Sequence, residues 1–456
     1  MLFHTQTFLL LFFPTLAGLY YAVARHGELR IYLLIMASIA VYSSFDIRFL
    51  PLLLGQAVAT WLVAEFFFAK GSRFALWLGI AANVAVLASF KWIDFLVIHA
   101  EALTGVELPR SNWALPIGLS FYTFELVSYL ADQMRGRQKR YPFSRFMLFV
   151  LYFPRLISGP IVRHDEIVDQ FDLDPLRPDV AERLSKGFVL LVIGLAKKLL
   201  LADPLAKIAD PVFASAATAI PSLTDSITGT VAFTFQIYFD FSAYSDMAIG
   251  ISLIFGIVIP NNFDAPYRAT SLRDFWRRWH MTLSRFIRDY LYIPLGGSTS
   301  GAGRFVAATM IAMTVCGLWH GAGWTFLVWG MAHGAGLIVC HAWQKRGGKL
   351  PLPVAWALTM ACVVAGWVLF RAPNFDTALN MFGGIAGFGV VGAVPDGAWL
   401  LVAASVVAMA GPTSAVLVER FLLPWRSAAF GWAAAFVYLI LLIGGRDPVS
   451  FIYFQF

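Results

Sequence analysis

Charge is scarce in this sequence. Asp, Glu, Lys and Arg make up 13% of its 456 residues, whereas soluble domains carry about 25%. Hydrophobic residues reach 59%, and the mean hydropathy is +0.71. So little polar material excludes a soluble enzyme. The chain reads as an all-α polytopic membrane protein, and no nucleic-acid partner is expected. Cysteine is also rare. Cys316, Cys340 and Cys362 all lie in apolar stretches without metal-type spacing, so they read as small hydrophobes in helix packing. No metal site and no bound cofactor are expected. Long polar gaps are missing too, which leaves no room for a separate soluble domain. The first apolar stretch, "TFLLLFFPTLAGLYYAVA", lacks a basic n-region and a small-residue cleavage site. It reads as a retained transmembrane helix.

Apolar runs are what the chain does have. Those at 7–24, 31–45, 49–69, 74–99 and 113–131 are long enough for five crossings. Loop basicity orients them, because Lys and Arg collect on the cytoplasmic side. Arg25 and Arg30, then Lys70 and Arg73, then "RGRQKR" at 135–140 read as cytoplasmic. The gaps at 46–48 and 100–112 read as outside, which puts the N-terminus outside. From the other end, "QKRGGK" at 344–349 and the Arg420–Arg426 gap read as cytoplasmic. Runs at 352–370, 398–418 and 429–444 then leave the last dozen residues outside. Residues 143–304 are less regular, with short apolar runs and Lys197 and Lys198 at the end of one of them. Broken or re-entrant segments are expected there, buried in protein or lining a wet cavity.

The most polar stretch is "YRATSLRDFWRRWHMTLSRFIRDYLYIPLGG", residues 267–297. Ser271 and Asp274 fit a capping box, and Pro294 marks a stop. On a helix over 271–290, Arg273, Asp274, Arg277, Arg278, Arg285 and Arg288 share one face. Phe275, Trp276, Trp279, Leu283 and Phe286 share the other, with His280 at the border. Such a helix lies in the membrane interface and contacts lipid. Its arginines also suit a phosphate-bearing donor such as coenzyme A. The pattern accommodates both.

Three histidines fall in the nearly uncharged run 305–343. His341 borders a basic loop and reads as an interface residue. His333, in "MAHGAG", reads as packing. His320 comes roughly 15 residues after Arg304, a rise of about 22 Å, and so lies inside the hydrocarbon. It is flanked by Trp319, Gly321, Gly323 and Trp324, where the glycines permit a break. An ionisable residue at that depth is a functional candidate, and histidine is the commonest general base near neutral pH. A satisfied core histidine fits the same pattern. Upstream, "FQIYFDFSAYSDMAIG" at 235–250 buries Asp240, Ser242 and Asp246 in apolar sequence. Acids there need partners: arginines, a histidine or a polar cavity. A supporting structural role is favoured over catalysis.

Taken together, these segments resemble the membrane-bound O-acyltransferase superfamily. They are closest in kind to the branch containing the membrane subunit of bacterial alginate O-acetylation. The likeness rests on "LPIGLSFYTFELVSYLAD", "FPRLISGPIVR", "YFDFSAYSDMAIG", "FWRRWHMTLSRFIRDYLYIPLGG", "LWHGAGWTFLVWG" and the tail "FIYFQF". Ala243 stands where glycine is expected in one of them. The resemblance implies one helical domain over 1–456 with broken helices and a central funnel, its catalytic core at about 115–345 and an outer tail at 445–456. It implies that His320 is the catalytic histidine and His280 the second, more variable polar position. Arg277, Arg278, Trp279, Arg285, Asp240, Ser242, Trp319 and Trp324 become candidate donor contacts. It also implies acetyl-CoA as donor and a bacterial plasma-membrane location. An extracytoplasmic partner resembling an SGNH-type esterase, a polysaccharide acceptor and an acyl-carrying tyrosine, Tyr453, complete the scheme. Phe451, Phe454 and Phe456 would form the docking surface of that tail.

The chemistry is consistent with a tyrosyl carrier. A phenol has a pKa of about 10, near a thiol at about 8.5 and below an alcohol. A tyrosyl ester thus keeps much of a thioester's transfer potential. From Arg446 to Tyr453 an extended chain spans about 25 Å, enough to fold back toward a buried base. Two same-fold alternatives stay open, peptidoglycan O-acetylation and D-alanyl transfer to teichoic acid. A third is a transporter using His320 and the acids as a proton relay. It predicts inverted repeats, and none is visible in the sequence.

Overall fold

The computed structural model describes residues 1–136, 139–299, 301–421, 426–445 and 449–454. Phe456, Arg446 and the Arg137–Gln138 part of the basic cluster lie outside the described residues. No strand occurs among those described. Five helical segments are long and apolar enough to cross a membrane: Gly27–Lys70, Arg73–Thr104, Ala302–His320, Trp324–Lys345 and Leu352–Arg371. A further pair, Trp399–Met409 and Ser414–Arg420, is bent by 68°. All-α polytopic architecture therefore holds, broken helices included.

The gap foreseen at 46–48 is the single turn Ile47–Phe49, which joins helices Gly27–Asp46 and Leu50–Lys70, and the backbone at Asp46 is extended, with φ −162° and ψ 107°. Asp46 accepts from Arg48 N at 3.0 Å and pairs with its side chain at 2.6 Å, so the two charges of this gap satisfy each other locally. Within 143–304, short helices such as Phe143–Leu151, Phe153–Leu156 and His164–Ile167 are broken as expected, but Leu223–Ile254 is one uninterrupted helix of 32 residues.

The chain forms two compact units. The first comprises Met1–Leu195, Tyr244–Pro260 and Arg420–Phe454. Its polar side chains pair at depth. Gln56 Nε2 donates to Asn83 Oδ1 at 3.1 Å, and Asn83 Nδ2 donates to Thr60 Oγ1 at 3.0 Å. The wholly buried Arg155 pairs with Glu125. Small residues set the helix crossings: a Cβ on Gly187 would lie 2.6 Å from the carbonyl of Gly250. The tail belongs to this unit. His4 Nε2 lies 3.0 Å from Val449 O, and Ile452–Phe454 make a single turn closed by Phe454 N to Phe451 O at 2.9 Å.

The second unit comprises Ala196–Ala243 and Asn261–Glu419. Its centre is the helix pair Ala302–His320 and Trp324–Lys345. Gly317 and Gly330 let the two backbones touch, since a Cβ on Gly330 would meet Met313 O at 2.3 Å. Cys316 is buried in this pair, Cys340 is half-buried, and Cys362 is exposed on its helix.

Candidate functional site

The amphipathic stretch is not one helix. Ser271 Oγ caps Leu272–Arg278 by accepting from Asp274 N at 3.1 Å, as its spacing foretold. The helix then breaks at Trp279 and His280 before Met281–Ile287 begins. The cause is an external acceptor. Asn262 O takes Met281 N at 3.0 Å, and Asn262 Oδ1 takes Thr282 N at 3.4 Å. Amides that would continue the helix are thereby diverted. His280 absorbs the turn with φ 42° and ψ 54°, a left-handed conformation that non-glycine residues seldom adopt. Its ring is therefore not at a water border but fully buried.

Around His280 the walls are aromatic. Phe241 stands edge-on at 4.7 Å between centroids, and Trp319 lies at 6.2 Å. His280 Nδ1 is 3.1 Å from Asn262 Oδ1. This short-helix pair is not among the membrane spans, and burial pushes the His280 imidazole down to about 3. It stays neutral at working pH.

Trp319 also touches the second histidine. His320 ends the Ala302–His320 helix, and residues 321–323 carry the chain across to Trp324. Gly321 is confined by its neighbour, since a Cβ there would lie 2.2 Å from the Phe326 ring. The His320 ring packs against Trp319 at 4.8 Å, Phe370 at 5.1 Å and Trp329 at 5.3 Å, and the residue is 4% exposed. A base at a helix end, walled by aromatics and shielded from bulk water, suits proton transfer to or from a hydroxyl. His333 packs nearby, accepting from Trp276 Nε1 at 3.3 Å and lying tilted beside Trp329 at 4.9 Å.

Asp240 and Ser242 lie on the Leu223–Ile254 helix in the same unit, and their partners are lysines. Lys198 Nζ is 2.6 Å from Asp240 Oδ1 and 2.8 Å from Asp203 Oδ1. Lys197 Nζ donates to Ser242 Oγ at 3.3 Å and to Ser414 Oγ at 2.8 Å. Both lysines lie on the π-wound turn Lys197–Ala202, which joins helices Val180–Ala196 and Asp203–Ser215. Asp240 is thus held by a buried lysine, not by an arginine.

The other expected contacts are divided between surface and interior. Arg277 is exposed. Arg278 pairs with Asp274 at 2.9 Å, and Arg285 is half-buried. Trp279 turns inward against Trp367 at 4.8 Å. Trp324 is 49% exposed at the first turn of its helix.

In the first unit, Tyr453 is 8% exposed. Phe451 is buried, edge-on to His4 at 4.9 Å and to Tyr244 at 5.0 Å. Phe454 meets Phe45 at 5.9 Å. The tail is therefore folded onto its own unit, with Phe451 anchored inside it.

A family model for membrane-bound O-acyltransferases matches residues 39–370, which include both histidines. The chain belongs to the membrane-bound O-acyltransferase family. It is 39% identical over 404 residues to a probable alginate O-acetylase of Azotobacter vinelandii, covering 85% of this chain and 79% of the relative. It is 35% identical over 423 residues to a peptidoglycan O-acetyltransferase of Helicobacter pylori, covering 85% and 80%. A teichoic acid D-alanyltransferase of Streptococcus thermophilus is 29% identical over 295 residues, 58% of this chain and 70% of the relative. This member of the acyltransferase family is an enzyme, and the transporter reading falls away.

Several residues of the buried region escaped sequence reasoning. Asn262 sits in an irregular loop that no periodicity marks. Lys197 and Lys198 looked like a disturbance of an apolar run. Trp329 stands on one helix and Trp367 and Phe370 on the next, and only the fold gathers them.

Proposed function

We propose that this acyltransferase moves an acetyl group from acetyl-CoA to a polysaccharide outside the plasma membrane, with His320 as general base. The observation that carries the reading is the placement of His320: a buried imidazole at a helix end, packed against Trp319, Trp329 and Phe370, with Trp319 also in contact with His280. The alginate-type relatives support acetyl as the group and a polysaccharide as the final acceptor.

Tyr453 is the acyl carrier in this proposal. Its phenolic oxygen attacks the thioester carbonyl, the C–S bond breaks, and the phenolic proton passes through His320 to the leaving thiolate. The acetyl ester then passes to a serine of an extracytoplasmic SGNH-like partner and on to a sugar hydroxyl. Each step exchanges one acyl bond for another, so no further reactant is needed. The exposed Arg277 and the neighbouring Arg278 and Arg285 are the proposed contacts for the donor's phosphates. The tail lies outside in this scheme, on the basic loops at 344–349 and 420–426.

The similarity to a peptidoglycan O-acetyltransferase over 85% of the chain favours one second reading, in which the same steps end on peptidoglycan. The test of the enzyme's first half is thiol release from acetyl-CoA by the purified protein in detergent or bilayers. Release that depends on His320 is expected. Equal release by His320→Ala would remove His320 from the reaction.

A further inference from the structure

Asn262 lies just beyond the Leu223–Ile254 helix, in the loop leading to the short-helix pair, and is 1% exposed. Its Oδ1 meets His280 Nδ1 at 3.1 Å, Thr282 Oγ1 at 3.0 Å and Thr282 N at 3.4 Å. A backbone N–H can only donate, so the atom it faces is the amide oxygen. An oxygen can only accept from the imidazole, so Nδ1 carries the hydrogen. In a neutral ring the lone pair then belongs to Nε2.

The same residue also sets the backbone. Asn262 O accepts from Met281 N at 3.0 Å, on the far side of the left-handed turn at His280. One side chain thus fixes the ring's tautomer while its carbonyl fixes the kink that buries the ring. An apolar residue would fill the space at His280 without needing either device.

We propose that Asn262 is a positioning residue that holds His280 as its Nδ1–H tautomer, so that Nε2 serves the reaction as a hydrogen-bond acceptor. The inference rests on the reading that His280 belongs to the acyl-transfer site. It gives the two histidines different tasks, with His320 moving the proton and His280 accepting a hydrogen bond from the reacting hydroxyl or the donor.

The test has two arms. In the first, protein labelled with 15N-histidine is examined in bilayers by solid-state NMR, and His280→Gln identifies the His280 signals. The wild type should show a protonated Nδ1 and an unprotonated Nε2. Asn262→Leu should move the hydrogen to Nε2, and Asn262→Asp, which keeps the acceptor oxygen, should not. In the second arm, turnover is followed with labelled acetyl-CoA. Asn262→Leu should lower kcat at least about tenfold, the scale of losing a partner that orients a functional histidine, with KM little changed. Asn262→Asp should keep most of the turnover. A wild-type His280 protonated at Nε2 would overturn the inference without any variant having to fold. So would an Asn262→Leu protein with unaltered tautomer and kcat. A wild type that takes no label yet shows the Nδ1–H tautomer, with the switch in Asn262→Leu, would refute the donor and uphold the positioning role.

Discussion

Lys198 Nζ lies 2.6 Å from Asp240 Oδ1, and both residues are almost wholly buried. Removing one partner of such a pair strands the other charge, at about 3–5 kcal/mol, whereas replacing both with apolar groups is often neutral. Asp240→Leu should therefore lower the thermal unfolding temperature markedly, even with Asp203 still 2.8 Å from the lysine. The double variant Lys198→Met, Asp240→Leu should recover part of the loss, since Asp203 then gives up its lysine, and Lys198→Met, Asp203→Asn, Asp240→Leu should recover more. A detergent-solubilised melting series checks this.

Gly330 should tolerate no side chain. An added Cβ would lie 2.3 Å from Met313 O and 3.2 Å from Gly317 Cα, so the helix ending in His320 would have to shift. Overpacking of this kind costs about 1–3 kcal/mol. Gly330→Ala should lose both stability and acyl transfer. Gly303→Ala, on the Ala302–His320 helix but with nothing within 4 Å, should keep both.

This part of the fold shows what the sequence could and could not convey. Helix positions were legible because apolar run length and glycine breaks are local properties. The glycines beside His320 marked a helix end, and Ser271 marked a helix start. The break at His280 was not legible. Helical spacing runs smoothly through 271–290, and the acceptor that interrupts it, Asn262, is supplied from a loop eighteen positions upstream. The same holds for Asp240. Its need for a partner followed from its burial, but its choice of Lys198 depends on how two helices meet.

His280 makes folding stability fall in acid. Its folded pKa, about 3, lies below the unfolded value of about 6.5. Above that value the ring is neutral in both states. As pH falls below it, the unfolded chain binds a proton that the folded one refuses, and stability drops until about pH 3. The slope from one such group is at most about 1.4 kcal/mol per pH unit. Unfolding measured from pH 7 to pH 4 should be less pH-dependent in His280→Gln than in the wild type.

Phe451 pins the tail, so its loss should free the residues that follow. Truncating a buried phenylalanine costs about 3–5 kcal/mol, enough to undock a single turn. Phe451→Ala should become sensitive to proteolysis after Val449 while the rest of the chain stays protected. Tyr453→Phe keeps the ring and should leave that protection unchanged, while abolishing polysaccharide acetylation.

The central claim, that Tyr453 takes the acetyl group with His320 as its base, is tested most directly by mass spectrometry of the C-terminal peptide. The purified protein is incubated with isotopically labelled acetyl-CoA, digested and sequenced. The label should appear on Tyr453 and vanish in His320→Ala. Label elsewhere with Tyr453 unmodified, or acetylation of the polysaccharide by Tyr453→Phe at the wild-type rate, would contradict it.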